Sequence, residues 1–294
     1  MITQNLGGLF PNQDPFPYIS KRLAADGLKV GLSFGGGVAQ DSDWNFGFNG
    51  TASAAQMASD LATWAKSIGV SNIDFDIENP NFGNINQAAD VSSFFSTLHS
   101  QMSTSLTVDA STGGFESMFG PILTQGHLEN MFNDMNLMCY GGSSNPYYLN
   151  SGTSPATGSE TGWGLVQWVD LLQKNNSHMT PAECAAFFHI GFLTSLNYGN
   201  PSESGGPCPY TPPAPSGVTS SGQYAAYIYS ILQSQLREYY NDPELTLSAP
   251  FFWQGDADYD VDSGPTAPDN SEFFKNNPAF ESDFFAYLNS AKKE

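Results

Sequence analysis

Apolar and polar positions follow two periodicities along the chain, one typical of helices and one typical of strands. Helical spacing predicts helices at residues 18–26, 52–68, 86–102, 116–132, 164–174, 221–240 and about 271–291. Short apolar or alternating runs predict strands at residues 28–34, 73–78, 106–111, 136–140, 187–193 and 247–253. Strand and helix therefore alternate at least six times, at spacings suited to right-handed βαβ units.

This alternation is typical of a parallel sheet whose outer side is covered by helices. A chain of 294 residues with so many repeats most simply closes into a (β/α)8 TIM barrel, so we expect one domain over residues 1–294. A doubly wound open sheet is the alternative, but the glycines at 35–37 lack the spacing of a phosphate-binding fingerprint. The chain before residue 28 has room for one short strand, at about residues 2–6, and one helix. We therefore expect a barrel that is atypical or incomplete at its N-terminal βα unit, or one that begins upstream.

Two long connections follow predicted strands. Residues 141–162 and 194–222 are rich in Gly, Pro and Ser. In a barrel, segments that follow strands lie on the C-terminal face, where binding sites form. We expect both connections to border the functional site.

The strand at residues 73–78 has a composition that requires an explanation. It alternates three apolar with three acidic residues, so it presents Asp74, Asp76 and Glu78 on one face. If helices cover the apolar face, the acids point into the barrel, where crowding of like charges favours a proton on at least one of them. Glu78 is the outermost and is suited to act as a general acid. The alternative is a solvated edge strand, but predicted helices flank this strand in sequence on both sides.

The overall charge limits the classes of partner. The chain has 29 acidic residues against 9 lysines and arginines, which argues against nucleic acid and against an anionic membrane surface. No apolar run approaches the roughly 20 residues of a membrane span. The first residues show no signal peptide, although low Lys and high Asn, Ser, Gly and aromatic content is typical of extracellular proteins. We expect a secreted monomer.

Four segments together resemble glycoside hydrolase family 18, the chitinases and endo-β-N-acetylglucosaminidases. Residues 71–78 (SNIDFDIE) resemble the family signature D-x-x-D-x-D-x-E. Residues 33–36 (SFGG) are similar to the S-x-G-G that ends the family's third strand, and residues 138–140 (MCY) to the M-x-Y of the sixth. Trp253 matches the tryptophan that ends the eighth strand. The resemblance covers about residues 28–255 and implies that about one βα unit is missing at the front.

The resemblance implies retaining, substrate-assisted hydrolysis of β-1,4-linked N-acetylglucosamine. By this analogy Glu78 protonates the glycosidic oxygen, and the substrate's own acetamido oxygen attacks the anomeric carbon. Asp76 orients the acetamido group and stabilises the oxazolinium ion, with Asp74 behind it sharing a proton or a hydrogen bond. Tyr140 donates a hydrogen bond to the acetamido oxygen. The reaction requires no metal and no organic cofactor.

The same resemblance implies the residues that hold the sugar. Trp253 would form an apolar floor beneath it, and Ser33 would hydrogen-bond Asp74 from the neighbouring strand. The motifs place three further residues at the substrate-binding site: Gly35, Gly36 and Met138. Two positions differ from the family pattern, since Ser71 replaces its first aspartate and Gly141 replaces an Asp or Asn found in many members.

The expected substrate is chitin or chitin oligomers. The sequence leaves two alternatives open: an endo-β-N-acetylglucosaminidase acting on N-glycans, and a non-catalytic chitinase-like protein that binds carbohydrate. It also leaves open endo or exo action and whether Cys184 pairs with Cys208.

Overall fold

The computed structural model describes residues 16–36, 50–77, 88–109, 127–138, 165–193, 215–253 and 280–291. The chain divides into two compact units. Unit 1 comprises residues 1–108 and 114–135, and unit 2 comprises residues 109–113 and 136–294. The prediction of a single domain stays a prediction.

Helices and strands alternate through the described residues. The elements up to the end of the fourth strand are α1 (Phe16–Ala25), β1 (Gly31–Gly35), α2 (Thr51–Ser67), β2 (Asn72–Ile77), α3 (Ala88–His99), β3 (Ser103–Asp109), a 3₁₀ helix (Leu128–Asn130) and β4 (Asp134–Met138). The elements that follow are α4 (Leu165–Asn175), α5 (Pro181–Ala185), β5 (Phe188–Leu193), α6 (Ser221–Tyr240), β6 (Phe251–Trp253) and α7 (Phe280–Ala291).

The six strands form a sheet in which they lie in the order of the sequence, from β1 to β6. The pairs β1–β2, β2–β3 and β5–β6 are parallel. A doubly wound sheet reverses its strand order at a switch point, and the described strands show no such reversal. Sequential order with helical connections is the arrangement of a (β/α)8 barrel, which confirms the predicted fold class.

Aromatic rings form the core of unit 1 between the sheet and α3. The Phe75 ring of β2 lies 6.0 Å from Phe94 and 5.0 Å from Phe95, both edge-to-face. Phe95 in turn lies 4.8 Å from Phe132. Edge-to-face pairs add about 0.5–1.5 kcal/mol each beyond the burial of their area, so this cluster fixes α3 against the strands.

Aromatic residues also form the core of unit 2. The buried Trp168 of α4 packs against Phe188, and Phe192 packs against Phe284 of α7. The Tyr229 hydroxyl of α6 donates to the carbonyl oxygens of residues 247 and 248, at 3.0 and 2.9 Å. Burial raises the pKa of Tyr229 to about 12, so the neutral, donating form persists at any physiological pH.

The clearest differences between prediction and structure concern two predicted elements and one helix that was not predicted. The helix predicted to reach residue 132 is replaced at Leu128–Asn130 by a 3₁₀ turn, because Thr104 of β3 binds the chain just beyond it. The Thr104 hydroxyl donates to the Met131 carbonyl, and Thr104 N–H donates to Asn133 Oδ1. The last strand is shorter than predicted, since Pro250 has no N–H to contribute to a ladder. The short helix α5 was not predicted.

The remaining predictions fall largely on residues that are not described. The first long connection, most of the second (194–214), the possible strand at residues 2–6 and Cys208 lie outside the described residues. Within the part of the chain that is described, no helix has the length and apolarity needed to cross a membrane.

Candidate active site

The alternation predicted for the acidic strand is present in β2. Ile73, Phe75 and Ile77 are at most 2% exposed. Asp74 and Asp76 point to the opposite face and are half-buried. The carboxylates therefore lie on the side of the sheet away from the aromatic core.

The register of the neighbouring strands surrounds both acids with small residues. Asp74 is paired with Ser33 of β1 and Ser105 of β3, and Asp76 is paired with Gly35 and Thr107. Register partners in a parallel sheet share a face. We call this set the polar face: Gly31, Ser33, Gly35, Asn72, Asp74, Asp76, Ser103, Ser105 and Thr107.

Asp74 receives hydrogen bonds from both neighbouring strands. Ser33 Oγ donates to Asp74 Oδ2 at 2.6 Å, so the hydrogen bond expected from the resemblance is confirmed. Ser105 Oγ and Thr107 Oγ1 both donate to Oδ1, at 3.0 and 2.8 Å. Hydrogen bonds to a carboxylate are among the stronger ones in proteins, so three of them fix its orientation.

Asn72 extends this network by one step. Its Nδ2 donates to Ser105 Oγ at 3.2 Å. A Cβ at Gly31, the register partner of Asn72 on β1, would lie 3.5 Å from that nitrogen. Gly31 therefore lies directly beside the Asn72 amide.

Two glycines end β1 beside Asp76. Gly35 and Gly36 have φ of +117° and +93°, a region that other residues rarely adopt. Gly36 N–H donates to the Asp76 carbonyl at 3.0 Å, and a Cβ at Gly36 would lie 3.7 Å from Asp76 Oδ2. The turn brings the backbone close to the Asp76 carboxylate without covering it by a side chain.

Ser71 lies apart from this face. It is exposed immediately before β2, and its hydroxyl donates to the Val30 carbonyl at 3.2 Å. Ser71, at the position of the first aspartate in the family signature, therefore links the residue before β2 to the residue before β1. The residue that precedes Asp74 on the polar face is Asn72, not Ser71.

Two further predicted residues belong to unit 2. Met138 is the last residue of β4 and is buried. Trp253 is the last residue of β6, in register with Leu193, and its side chain is not among those described. Gly191 makes this pairing possible, because a Cβ there would collide with the Phe251 ring and lie 2.9 Å from the Leu137 carbonyl oxygen.

The structure thus brings together five of the predicted residues: Ser33, Gly35, Gly36, Asp74 and Asp76. Glu78 and Tyr140 lie outside the described residues, so their roles stay predictions. Sequence analysis missed Asn72, Ser105 and Thr107. The alternation Ser103–Ser105–Thr107 was available as a signal, but only the strand register shows that it faces Asp74.

The arrangement has the chemistry of a general acid–base or charge-stabilising site. One carboxylate, Asp74, is held by three hydroxyls, and a second, Asp76, follows it on the same face. Among the described residues no group of three or more His, Cys, Asp or Glu side chains gathers as metal ligands would.

No protein-family model matches the chain, and no curated protein sequence matches it. Solved structures of chitinases do resemble it. The catalytic domain of a hyperthermophilic chitinase from Pyrococcus furiosus is 15% identical with a TM-score of 0.51, over 93% of this chain and 77% of that one. Catalytic site mutants of active domain 2 of the Pyrococcus furiosus chitinase, complexed with chito-oligosaccharides, give 14% identity and a TM-score of 0.53, over 94% and 77%.

A third similar structure is YKL-39, solved in the presence of chitooligosaccharides. It is 10% identical with a TM-score of 0.50, over 92% of this chain and 84% of that one. Identities this low establish the fold alone. The chain has the (β/α)8 fold of these chitinases and of YKL-39.

Proposed function

We propose that this protein is a family-18 glycoside hydrolase that cleaves β-1,4-linked N-acetylglucosamine in chitin or chitin oligomers. The observation that carries the proposal is the hydrogen bond from Ser33 to Asp74. It joins two motifs that are 41 residues apart in sequence and that were paired only by their resemblance to the family. The chitinase fold of the chain supports the same assignment.

The proposed reaction retains the configuration of the anomeric carbon. Glu78, which continues the alternation of β2 in sequence, gives its proton to the glycosidic oxygen as the bond to the anomeric carbon breaks. The acetamido carbonyl oxygen of the same sugar attacks that carbon and forms an oxazolinium ion. Glu78 then takes a proton from water as the water oxygen attacks the anomeric carbon. This attack opens the oxazolinium ring and leaves Glu78 protonated again.

Asp76 and Asp74 have separate roles in this proposal. Asp76 orients the acetamido group and stabilises the positive charge that develops on it. Asp74 lies behind Asp76 and is held in place by three hydroxyl donors. By the resemblance, Tyr140 donates to the acetamido oxygen and Trp253 lies under the sugar. A secreted monomer acting on extracellular polysaccharide completes the proposal.

A second candidate is a chitinase-like protein that binds oligosaccharide without turnover. The observation that favours it is Ser71, which replaces the family's first aspartate and lies exposed, bonded to a backbone carbonyl. The two candidates differ in turnover and not in binding.

The test measures cleavage of chitin oligomers and of a high-mannose glycopeptide by the native chain and by Glu78→Gln. We expect the native chain to cleave chitin oligomers, and Glu78→Gln to be slower by about two to four orders of magnitude. Glu238→Gln, the same change at an exposed position of α6, is the matched control and should be as fast as native. Binding of oligomers is measured in parallel by calorimetry.

Each other result has a distinct meaning. Cleavage of the glycopeptide alone would reassign the substrate to N-glycans. Oligomer binding without cleavage would establish the second candidate. A Glu78→Gln variant as fast as native would show that the acid is assigned to the wrong residue.

A further inference from the structure

The β3 side of the polar face contains hydroxyls that none of the four motifs includes. Ser105 and Thr107 are 4% and 7% exposed, and both donate to the same atom, Asp74 Oδ1. Ser33 donates to the other oxygen from β1. The carboxylate is therefore held from both neighbouring strands, and rotation about its side-chain torsions would break at least one of these bonds.

Asn72 determines the direction of one of these bonds. An amide nitrogen can only donate, so Ser105 Oγ is the acceptor in the contact from Asn72 Nδ2. A serine hydroxyl has one hydrogen, and this hydrogen remains for Asp74 Oδ1. Asn72 thus acts on Asp74 through Ser105 without touching it.

We infer that Asn72, Ser105 and Thr107 are positioning residues that hold Asp74 in one orientation during the proposed hydrolysis. The inference rests on the proposed function and adds a third strand to the site. Because Asp74 lies two residues before Asp76 on the same face, its placement sets the space and the charge that Asp76 meets. Small displacements of groups behind the reacting centre reduce the rate strongly. Ser105 and Thr107 donate to Asp74, and Asn72 donates to Ser105, so we expect their loss to lower kcat and leave KM unchanged.

The test uses near-isosteric variants that remove one donor each. Thr107→Val removes the hydroxyl and Thr107→Ser restores it, while Asn72→Asp keeps the shape of the side chain and replaces the N–H donor by a charged acceptor. The matched control is Thr104→Val, on the same strand but the opposite face, where the hydroxyl donates to the Met131 carbonyl at 2.9 Å. Turnover of a chitin oligomer gives kcat and KM for each variant.

We expect kcat of Thr107→Val to fall about tenfold, the effect of losing one hydrogen bond to a charged group, with KM within about twofold of native. Thr107→Ser should recover most of that loss. Asn72→Asp should lower kcat by about three- to tenfold, because its carboxylate competes with Asp74 for the Ser105 hydrogen. Thr104→Val should turn over at the native rate.

A second measurement does not depend on turnover. The ¹³C signal of the Asp74 carboxyl, assigned by its loss in Asp74→Asn, should shift in Thr107→Val and Asn72→Asp and stay in place in Thr104→Val. A native rate for Thr107→Val, or an equal loss of rate in Thr104→Val, overturns the inference and leaves the proposed function standing. If the native chain cleaves no substrate, the proposed function fails. The carboxyl signal then decides whether these residues orient Asp74: a shift confined to the polar-face variants supports it, and no shift overturns it.

Discussion

The two faces of β1, β2 and β3 differ in what their side chains contact. The face toward the helices consists mainly of large apolar groups, with Phe75 of β2 stacked on Phe34 of β1 at 6.0 Å and packed against two rings of α3. The polar face has only Gly, Ser, Thr, Asn and Asp. We therefore expect substitutions on the helix-facing side to change stability and substitutions on the polar face to change activity. Each variant can be measured for both properties.

Polar groups on the two faces also differ in their partners. On the helix-facing side, Thr104 is fully buried and its hydroxyl donates to a backbone carbonyl, which ties β3 to the turn before β4. On the polar face, the hydroxyls of Ser33, Ser105 and Thr107 converge on one carboxylate. Side chains that bond to backbone stabilise the fold, whereas side chains that converge on a charged group orient it. This difference supports the proposal that the polar face is the functional one.

The largest expected effect is on the polar face. Asp76→Asn should lower turnover by about two to four orders of magnitude, because the neutral amide stabilises the developing positive charge poorly. Its free energy of unfolding should fall by no more than about 1 kcal/mol, since the change keeps the shape of a half-buried side chain. Turnover and urea unfolding of the same preparation check both parts. Asp60→Asn, at an exposed position of α2, serves as control. A native rate in Asp76→Asn would contradict the role given to Asp76.

The converse change lies on the other face. Phe95 of α3 is fully buried among Phe75, Phe94 and Phe132. Phe95→Ala should lower the free energy of unfolding by about 3–5 kcal/mol, through lost burial and the cavity left behind. At a temperature where the variant is folded, its kcat should remain within about twofold of native. A loss of more than tenfold in kcat by folded protein would show that the two faces are not independent.

Sequence could predict which residues of a strand lie on the same face, because strand geometry alone sets this. A period of two places Ile73 and Asp74 on opposite faces wherever the strand lies, so the alternation of β2 was predictable. The contact of Ser33 with Asp74 was predicted only through the motifs that contain both residues. The helix α5 was also accessible, because Thr180 and Glu183 form a capping box whose spacing is visible in the sequence.

Other features depend on tertiary register. Alternation along β3 places Thr104 on the apolar face with Leu106 and places Thr107 on the opposite face. Only the pairing of β3 with β2 shows that the Thr107 hydroxyl faces Asp74. The 3₁₀ turn before β4 has the same origin, since Thr104 and Asn133 bind the chain there. Sequence therefore predicted the acids and the Ser33 hydroxyl, but not the Ser105 and Thr107 hydroxyls that also hold Asp74.

The smallest expected effect concerns a titratable group on the helix-facing side. His99 Nδ1 lies 3.1 Å from Thr104 Oγ1, and because the Thr104 hydrogen goes to Met131, His99 is the donor in this contact. Burial lowers the pKa of His99 below its ordinary value of 6.5. As pH falls below 6.5 the unfolded chain binds this proton before the folded one does, so the folded state loses stability until pH passes the lowered pKa.

His99→Asn keeps a donor in the place of Nδ1 and removes the titration. The free energy of unfolding, measured from pH 7.5 to 5, should therefore depend less on pH in His99→Asn than in the native chain. His178→Asn, at an exposed position, is measured in parallel as the control for the loss of one imidazole. Turnover compared between His99→Asn and native at each pH should show a constant ratio, because His99 contacts the core and not the polar face. If this ratio changes over the same pH range, protonation of His99 affects the carboxylates of the polar face. The two faces would then be independent in packing but not in charge.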